Sequence, residues 1–313
     1  MKADVLAIGS FPDATQAELA NRFNLHWFAK MAQAREGLAP EVAARIRAIA
    51  TEANHGADRA LIARLPKLEV ISVFGVGLDA VDLAAARERT LNVANTPGIL
   101  ADEVADLAIG LMLASARQII DADRFVREHR WEKGPISFGR SVGGKTMGVV
   151  GLGGIGRAIA DRGAAFRMRV LYTGPRAKPD VPYAYVAGVV DLARQSDVLM
   201  VACKGGPETR HMISAAVLDA LGPKGTLVNV ARGSVVDEAS LIKTLRDGRL
   251  GHAALDVFEN EPHVPADLLA LPNVIVQPHH GSGTVETRTA MGQLMIDNIT
   301  AQLENRPLLT PVR

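Results

Sequence analysis

The 313-residue chain holds a single cysteine, Cys203. One thiol excludes an intrachain disulfide framework and predicts a reducing, cytoplasmic compartment. Charge of one sign is not in excess either. The 35 Lys and Arg against 34 Asp and Glu leave a formal net charge of +1. Nothing in that balance calls for nucleic acid or a membrane surface as a partner. No uninterrupted apolar run reaches the ~18 residues of a membrane-spanning helix. The N-terminal stretch carries Asp4 and only a short apolar segment, which predicts a first strand rather than a signal peptide. Internal repeats and low-complexity segments are absent. His26, His55, His129, His211, His252 and His263 show no metal-ligand spacing, and no metal is expected.

What is present is a regular alternation. Hydrophobic residues make up 48% of the chain, and a prior of ~150 residues per domain gives two domains, each able to bury a core. Val5–Ile8, Leu25–Phe28, Ile46–Ile49, Val70–Phe74 and Asn92–Ala94 are predicted strands. Thr15–Phe23, Ala57–Leu65 and Asp79–Arg89 are predicted helices. Asn95-Thr-Pro-Gly98 breaks the pattern and predicts a crossover. Asp102–Glu128 predicts one long helix or two, with Val104, Leu107, Ala108, Leu111 and Met112 at helical spacing. The continuation through Trp131, Pro135 and Phe138 predicts an extended arm, over about residues 102–140, that packs on a second copy in a homodimer.

A second alternating block opens at Thr146. Its predicted strands are Met147–Val150, Arg169–Tyr172, Val198–Ala202, Thr226–Asn229, Ala253–Leu255 and Val274–Val276. The helical segment Val285–Leu303 is expected to return to the first domain, leaving Leu308–Arg313 as a tail. The prediction is α/β, with parallel sheets covered by helices on both faces. Residues 1–98 plus 285–313 form one domain and 99–284 the other, with a cleft where the chain crosses.

Near the middle lies Met147-Gly-Val-Val-Gly-Leu-Gly-Gly-Ile-Gly156, an apolar run leading into Gly151, Gly153 and Gly156. A helical stretch, Arg157–Phe166, follows. Strand, tight glycine turn and helix is the order a dinucleotide pyrophosphate needs. The first glycine permits the turn, the second brings backbone close to the phosphates, and the third lets helix and strand pack. The helix N-terminus offers N–H groups and a positive dipole end to the anion. One further absence bears on the nucleotide. An acid ~20 residues past the turn would bond the ribose 2′-hydroxyl of NAD. The chain reads Val170-Leu-Tyr-Thr-Gly-Pro-Arg176 there, and Asp180 comes too late. Thr173 and Arg176, with Lys178 as an outer charge, instead suit a 2′-phosphate. NADP(H) is the predicted preference; use of NAD(H) as well stays open.

Three charged residues follow later strands. Arg232 sits in Asn229-Val-Ala-Arg-Gly-Ser-Val-Val-Asp237. Glu261 sits in Leu255-Asp-Val-Phe-Glu-Asn-Glu-Pro262, and His279 in Val276-Gln-Pro-His-His-Gly-Ser-Gly-Thr284. Ligands of open parallel sheets bind outside the carboxyl ends of the strands, so these are site positions. Together the three types suit reduction of a 2-keto acid. A guanidinium grips a carboxylate in a planar fork and polarises the adjacent carbonyl. An imidazolium protonates the developing alkoxide, and a paired carboxylate favours its charged form.

In these segments the chain resembles the D-isomer-specific 2-hydroxyacid dehydrogenases. The likeness also rests on Phe74-Gly-Val-Gly-Leu-Asp79, Asn95-Thr-Pro97 and Asp102-Glu-Val-Ala-Asp-Leu-Ala108, and it runs over nearly the whole chain. Gly281-Ser-Gly-Thr-Val-Glu-Thr-Arg288 and Pro307-Leu-Leu-Thr-Pro311 look like the glyoxylate/hydroxypyruvate and hydroxyphenylpyruvate reductase branch.

The resemblance implies two Rossmann-like or flavodoxin-like domains, the first substrate-binding and the second NAD(P)-binding. It implies that Arg232 binds the substrate, that His279 is the acid and base, and that Glu261 pairs with His279. The N–H groups of Val76 and Gly77 would hold the substrate carboxylate, and Asp256 would orient the nicotinamide carboxamide. The implied nucleotide contacts are Gly151, Leu152, Gly153, Gly154, Ile155, Gly156, Thr173, Gly174, Arg176, Ala202, Cys203, Val230, Ala231, Arg232, Asp256, His279 and Gly281. Three positions depart from the family pattern: Gly154 stands where Arg is common, His280 where Ile or Val is common, and Lys204 where Pro is common. A second function stands beside the enzyme: a nucleotide-sensing binding protein, like the corepressors of this family.

Overall fold

The computed structural model describes residues 2–312; Met1, and Arg313 of the predicted tail, lie outside the described residues. The chain divides into two compact units, Met1–Leu100 with Ser282–Arg313 and Ala101–Gly281.

The first unit carries a five-stranded sheet: β1 (Asp4–Ile8), β2 (Asn24–Phe28), β3 (Ala48–Glu52), β4 (Val70–Phe74) and β5 (Asn92–Ala94). Its order is β2-β1-β3-β4-β5, and every pair is parallel. This is the flavodoxin-like order. Val5–Ile8 and Val70–Phe74 are buried along their whole length, because helices cover both faces of a parallel sheet. Helix Val285–Leu303 lies against this sheet: the Ser72 hydroxyl donates to the Met295 carbonyl at 3.0 Å. Its start is capped by Thr284, whose hydroxyl oxygen accepts from the Thr287 N–H at 3.2 Å.

Several local predictions shift. The predicted strand Ile46–Ile49 moves to Ala48–Glu52, where it pairs with Val5–Ile8. The predicted helix Asp79–Arg89 shortens to Leu83–Glu88 because Asp82 caps it, accepting from the Ala85 N–H at 2.7 Å. Ala57–Leu65 shortens to Arg59–Ala63 behind the cap of Asp58. Helices Met31–Gly37 and Pro40–Ala43 were not predicted. The supposed tail is tied down through residue 312: the Val312 N–H donates to the Val93 carbonyl at 2.8 Å, and Pro311 bridges Ala94.

The second unit carries a seven-stranded parallel sheet. Its strands are β6 (Thr146–Val150), β7 (Arg169–Thr173), β8 (Ala184–Tyr185), β9 (Val198–Val201), β10 (Thr226–Asn229), β11 (His252–Leu255) and β12 (Val274–Val276). The order is β12-β11-β10-β9-β6-β7-β8. Strand order reverses between β6 and β9, the topological switch point where open α/β sheets bind ligands. The predicted Asp102–Glu128 segment is two helices, Ala101–Ala116 and Ile119–Arg127, broken where Gln118 takes a left-handed φ of 54°. The short edge strand β8 was not predicted. Beyond the second helix the chain presents Trp131 at 69% and Phe138 at 98% exposure. Among the described residues, no helix is long and apolar enough to cross a membrane.

Candidate active site

The glycine turn sits at the switch point, after β6. Gly151 has φ 90°, and a Cβ on it would lie 2.5 Å from the Cα of Cys203, after β9. The two loops therefore meet backbone to backbone. A Cβ on Gly156 would lie 1.9 Å from the Gly151 carbonyl oxygen, so helix Gly154–Ala165 is seated directly on the turn. Gly153 and Gly154 behave differently: a Cβ on either meets nothing within 4 Å. Two glycines close the turn, and two leave open space at the helix N-terminus. That is the cradle a pyrophosphate requires, and the residues fit a nicotinamide dinucleotide. Leu152, Val230 and Ala231 are buried. Ala202 donates its N–H to the Val150 carbonyl at 2.9 Å. Burial pushes the Cys203 thiol up to about 11. Lys204 and the His280 ring are exposed.

Past β7, the loop Gly174–Lys178 is fixed at both ends. The Tyr185 hydroxyl donates to the Gly174 carbonyl at 3.0 Å, and the Tyr172 hydroxyl accepts from the Lys178 N–H at 2.6 Å. The Lys178 ammonium donates to the Leu152 carbonyl at 2.6 Å, tying this loop to the glycine turn. Arg176 lies exposed between them. Thr173 differs from its predicted use. Its side chain is buried, and its hydroxyl donates to the Ala187 carbonyl at 3.2 Å. The hydroxyl proton is committed inside the unit.

Arg232, Glu261 and His279 come together at the ends of β10, β11 and β12. Asn229 closes the turn after β10: its amide nitrogen donates to the Arg232 carbonyl at 3.0 Å, and its amide oxygen accepts from the Ala231 N–H at 3.0 Å. Gly233 follows, and a Cβ on it would lie 1.8 Å from the Phe258 carbonyl carbon. The loops after β10 and β11 are thus pressed together.

His279 Nδ1 lies 2.7 Å from Glu261 Oε2. An ionised carboxylate only accepts, so Nδ1 carries the proton of this bond and Nε2 is left outside it. Burial works against the Glu261 charge. The His279 hydrogen bond and charge, the Phe258 N–H and the Arg232 charge outweigh it and hold the Glu261 pKa below its ordinary value.

His279 has φ 53°, an uncommon left-handed conformation for a residue with a side chain. Asp256 maintains it. The Asp256 carbonyl accepts from the His279 N–H at 2.8 Å. Its carboxylate accepts from the His280 N–H at 2.6 Å and from the Gly281 N–H at 2.9 Å. Burial raises the Asp256 pKa, only partly opposed by those two N–H groups and by His279.

In the first unit, Val76 and Gly77 follow β4. Asn95 orients them: its amide donates to the Val76 carbonyl at 2.9 Å. Thr96 accepts from the Gly75 N–H at 3.0 Å. Among the described residues, the N–H groups of Val76 and Gly77 have no partner. Sequence reasoning missed Asn95, Asn229, Tyr172 and Tyr185 as supports. The two asparagines at strand ends were a usable signal, since their side chains bond nearby backbone in turns. Among the described residues, no group of three His, Cys, Asp or Glu is placed to hold a metal.

Comparisons with known proteins identify the family. Residues 109–281 match the D-isomer specific 2-hydroxyacid dehydrogenase, NAD binding domain. The chain is 49% identical to glyoxylate/hydroxypyruvate reductase A of Arabidopsis thaliana over 295 residues, 94% of each chain. It is 48% identical to hydroxyphenylpyruvate reductase of Plectranthus scutellarioides, over 95% of each. Among solved structures, the NADPH-dependent glyoxylate/hydroxypyruvate reductase of Sinorhizobium meliloti, in complex with NADP and malonate, aligns with a TM-score of 0.94. That pair is 38% identical over 100% of this chain and 97% of the other. The matching family model and these relatives show that the chain belongs to the D-isomer-specific 2-hydroxyacid dehydrogenases, a family of oxidoreductases that bind a nicotinamide dinucleotide.

Proposed function

We propose that this enzyme reduces small 2-keto acids, glyoxylate and hydroxypyruvate foremost and hydroxyphenylpyruvate as a larger relative, to D-2-hydroxy acids with NADPH. The observation that carries the reading is the 2.7 Å pairing of His279 with Glu261, on a backbone that Asp256 fixes. Bound NADPH supplies the hydride for the keto carbon. Arg232 takes the substrate carboxylate and keto oxygen, and its fixed charge stabilises the oxygen as it becomes an alkoxide. The N–H groups of Val76 and Gly77 take the carboxylate as well. His279 gives its Nε2 proton to that oxygen in reduction and removes it in oxidation. Glu261 stabilises the charged imidazole and keeps its Nδ1 proton in place. The unit with β1–β5 serves the substrate, and the unit with β6–β12 serves the nucleotide.

The preference for NADPH rests on the lack of an acid after β7 and on exposed Arg176 in a loop fixed by Tyr172, Tyr185 and Lys178. With the Thr173 hydroxyl turned inward, Arg176 and the loop backbone carry the 2′-phosphate. The exposed Trp131 and Phe138 support a homodimer through the arm at residues 102–140. The half-buried lone thiol Cys203 fits a cytoplasmic location. The sensing alternative finds less support, since the similar proteins are named reductases and Arg232, Glu261 and His279 are all present.

The test is NADPH oxidation with glyoxylate and hydroxypyruvate. Arg232→Ala should lower kcat/KM by about 100-fold or more, the loss of a charged, bidentate contact. His279→Ala should lower kcat severely while NADPH still binds. Full activity in either variant would overturn the assignment.

A further inference from the structure

Arg288 has no role in the reading above, yet its setting is unusual. It is the fourth residue of helix Val285–Leu303, in the opening turn. A cation there opposes the helix dipole, so the helix gains nothing from it. Arg288 is half-buried, and its guanidinium has no hydrogen-bond or ion-pair partner among the described residues. The guanidinium lies over the ring of Phe74, its central carbon 5.4 Å from the ring centre. Phe74 is in turn wedged edge-on against Phe11 at 5.5 Å, and Phe11 against Trp27 at 5.7 Å. The fork is therefore placed by a rigid aromatic stack, while its N–H groups stay unused.

The position of that stack gives the fork a purpose. Phe74 ends β4, and the next residues are Gly75, Val76 and Gly77, with the two unpartnered N–H groups. Asn95 and Thr96 fix that loop from the β5 side. Five guanidinium N–H donors thus stand at the strand end whose following loop offers the two backbone donors. All lie within one unit and need no rearrangement of it.

We propose that Arg288 is a specificity-determining residue that accepts substrates bearing an oxygen on C3. Its N–H groups would donate to the C3 hydroxyl of hydroxypyruvate, while the N–H groups of Val76 and Gly77 hold the carboxylate. An aliphatic side chain of equal size offers no acceptor and leaves the fork desolvated without a partner. The inference rests on the 2-keto acid reading and deepens it.

Hydroxypyruvate and 2-ketobutyrate form the right pair of probes, because they differ by a hydroxyl in place of a methyl. The measured quantity is the ratio of their kcat/KM values with NADPH, in the wild type, Arg288→Met and Arg288→Lys. The wild type should prefer hydroxypyruvate by about tenfold or more, the worth of one well-made hydrogen bond to a charged donor. Arg288→Met should bring the ratio near unity, and Arg288→Lys should fall between. Most of the change should appear in KM for hydroxypyruvate. An equal loss for both substrates would make Arg288 a structural cap on Phe74 and overturn the proposal. So would a wild type that does not distinguish the two. If Arg288→Met fails to fold, an unaltered ratio in Arg288→Lys overturns it instead. A wild type that reduces neither substrate, nor glyoxylate, would defeat the underlying reading and is told apart by that result.

Discussion

The glycine turn separates into positions that build the protein and positions that serve its ligand, and alanine substitution should expose the division. At Gly156 a methyl carbon would lie 1.9 Å from the Gly151 carbonyl oxygen. An ordinary contact needs more than about 3 Å, so backbone must move by roughly 1 Å. Overpacking of this kind costs about 1–3 kcal/mol, and here both partners are main chain. Taking ~2 kcal/mol, and about 2–4 °C per kcal/mol for a unit of this size, Gly156→Ala should lower Tm by about 4–8 °C. At Gly153 nothing lies within 4 Å, and φ is −76°, which any residue can adopt. Gly153→Ala loses some N-cap preference and gains about as much by restricting the unfolded chain. Its Tm without nucleotide should stay within about 2 °C of the wild type. Its NADPH affinity should fall about tenfold or more, because the methyl occupies the space where the pyrophosphate must approach. Melting curves with and without NADPH, and a fluorescence titration, measure both. A Gly156→Ala protein that melts like the wild type would refute the reasoning. So would a Gly153→Ala protein that binds NADPH normally.

Other outcomes follow from single groups. Arg176→Ala should weaken NADPH by about tenfold or more and leave NADH unaffected, as loss of one charged contact implies; equal losses would remove Arg176 from the 2′-phosphate. Glu261 has a pKa below its ordinary 4.5. Its stabilisation is therefore complete above about pH 4.5 and is lost as pH falls through the lowered folded value. The Tm gap between wild type and Glu261→Gln should be open at neutral pH and close in acid, and a gap that stays constant to about pH 3 would contradict this. The Cys203 thiol, pushed up to about 11 by burial, should react with iodoacetamide far more slowly at pH 7 than a free cysteine. Its rate should rise about tenfold per pH unit through about pH 8–10, and rapid labelling at neutral pH would show the thiol to be activated.

How far the sequence led depends on the range of the forces involved. Val70–Phe74, Asn92–Ala94, Thr226–Asn229 and Val274–Val276 are strands where the apolar runs placed them. Val70–Phe74 and Thr226–Asn229 are buried throughout and need such a run, and the signal is local. The strand predicted at Ile46–Ile49 slid to Ala48–Glu52 because pairing with Val5–Ile8 decided its register. The polar residue this brought inside is satisfied: the Thr51 hydroxyl donates to the Gly56 carbonyl at 3.0 Å. Nothing local announced the break at Gln118 either, since neither proline nor glycine marks it.

The candidate site divides along the same line. Arg232, Glu261 and His279 were legible because a parallel sheet puts its chemistry just past its strands. Their geometry was not, because it is made by loops far apart in sequence. Asp256 illustrates the difference. The family resemblance implied for it a contact to the nicotinamide carboxamide. In the structure both of its carboxylate oxygens accept from the loop 24 and 25 residues onward, the loop that carries His279. A buried acid with a raised pKa is costly to place. The left-handed His279 is costly as well. Each is tolerable because of the other: the carboxylate finds two backbone donors, and the strained turn finds an anchor. That mutual support holds the turn that keeps Nδ1 of His279 on Glu261, and it follows from pairing across the sheet, which no local sequence pattern records.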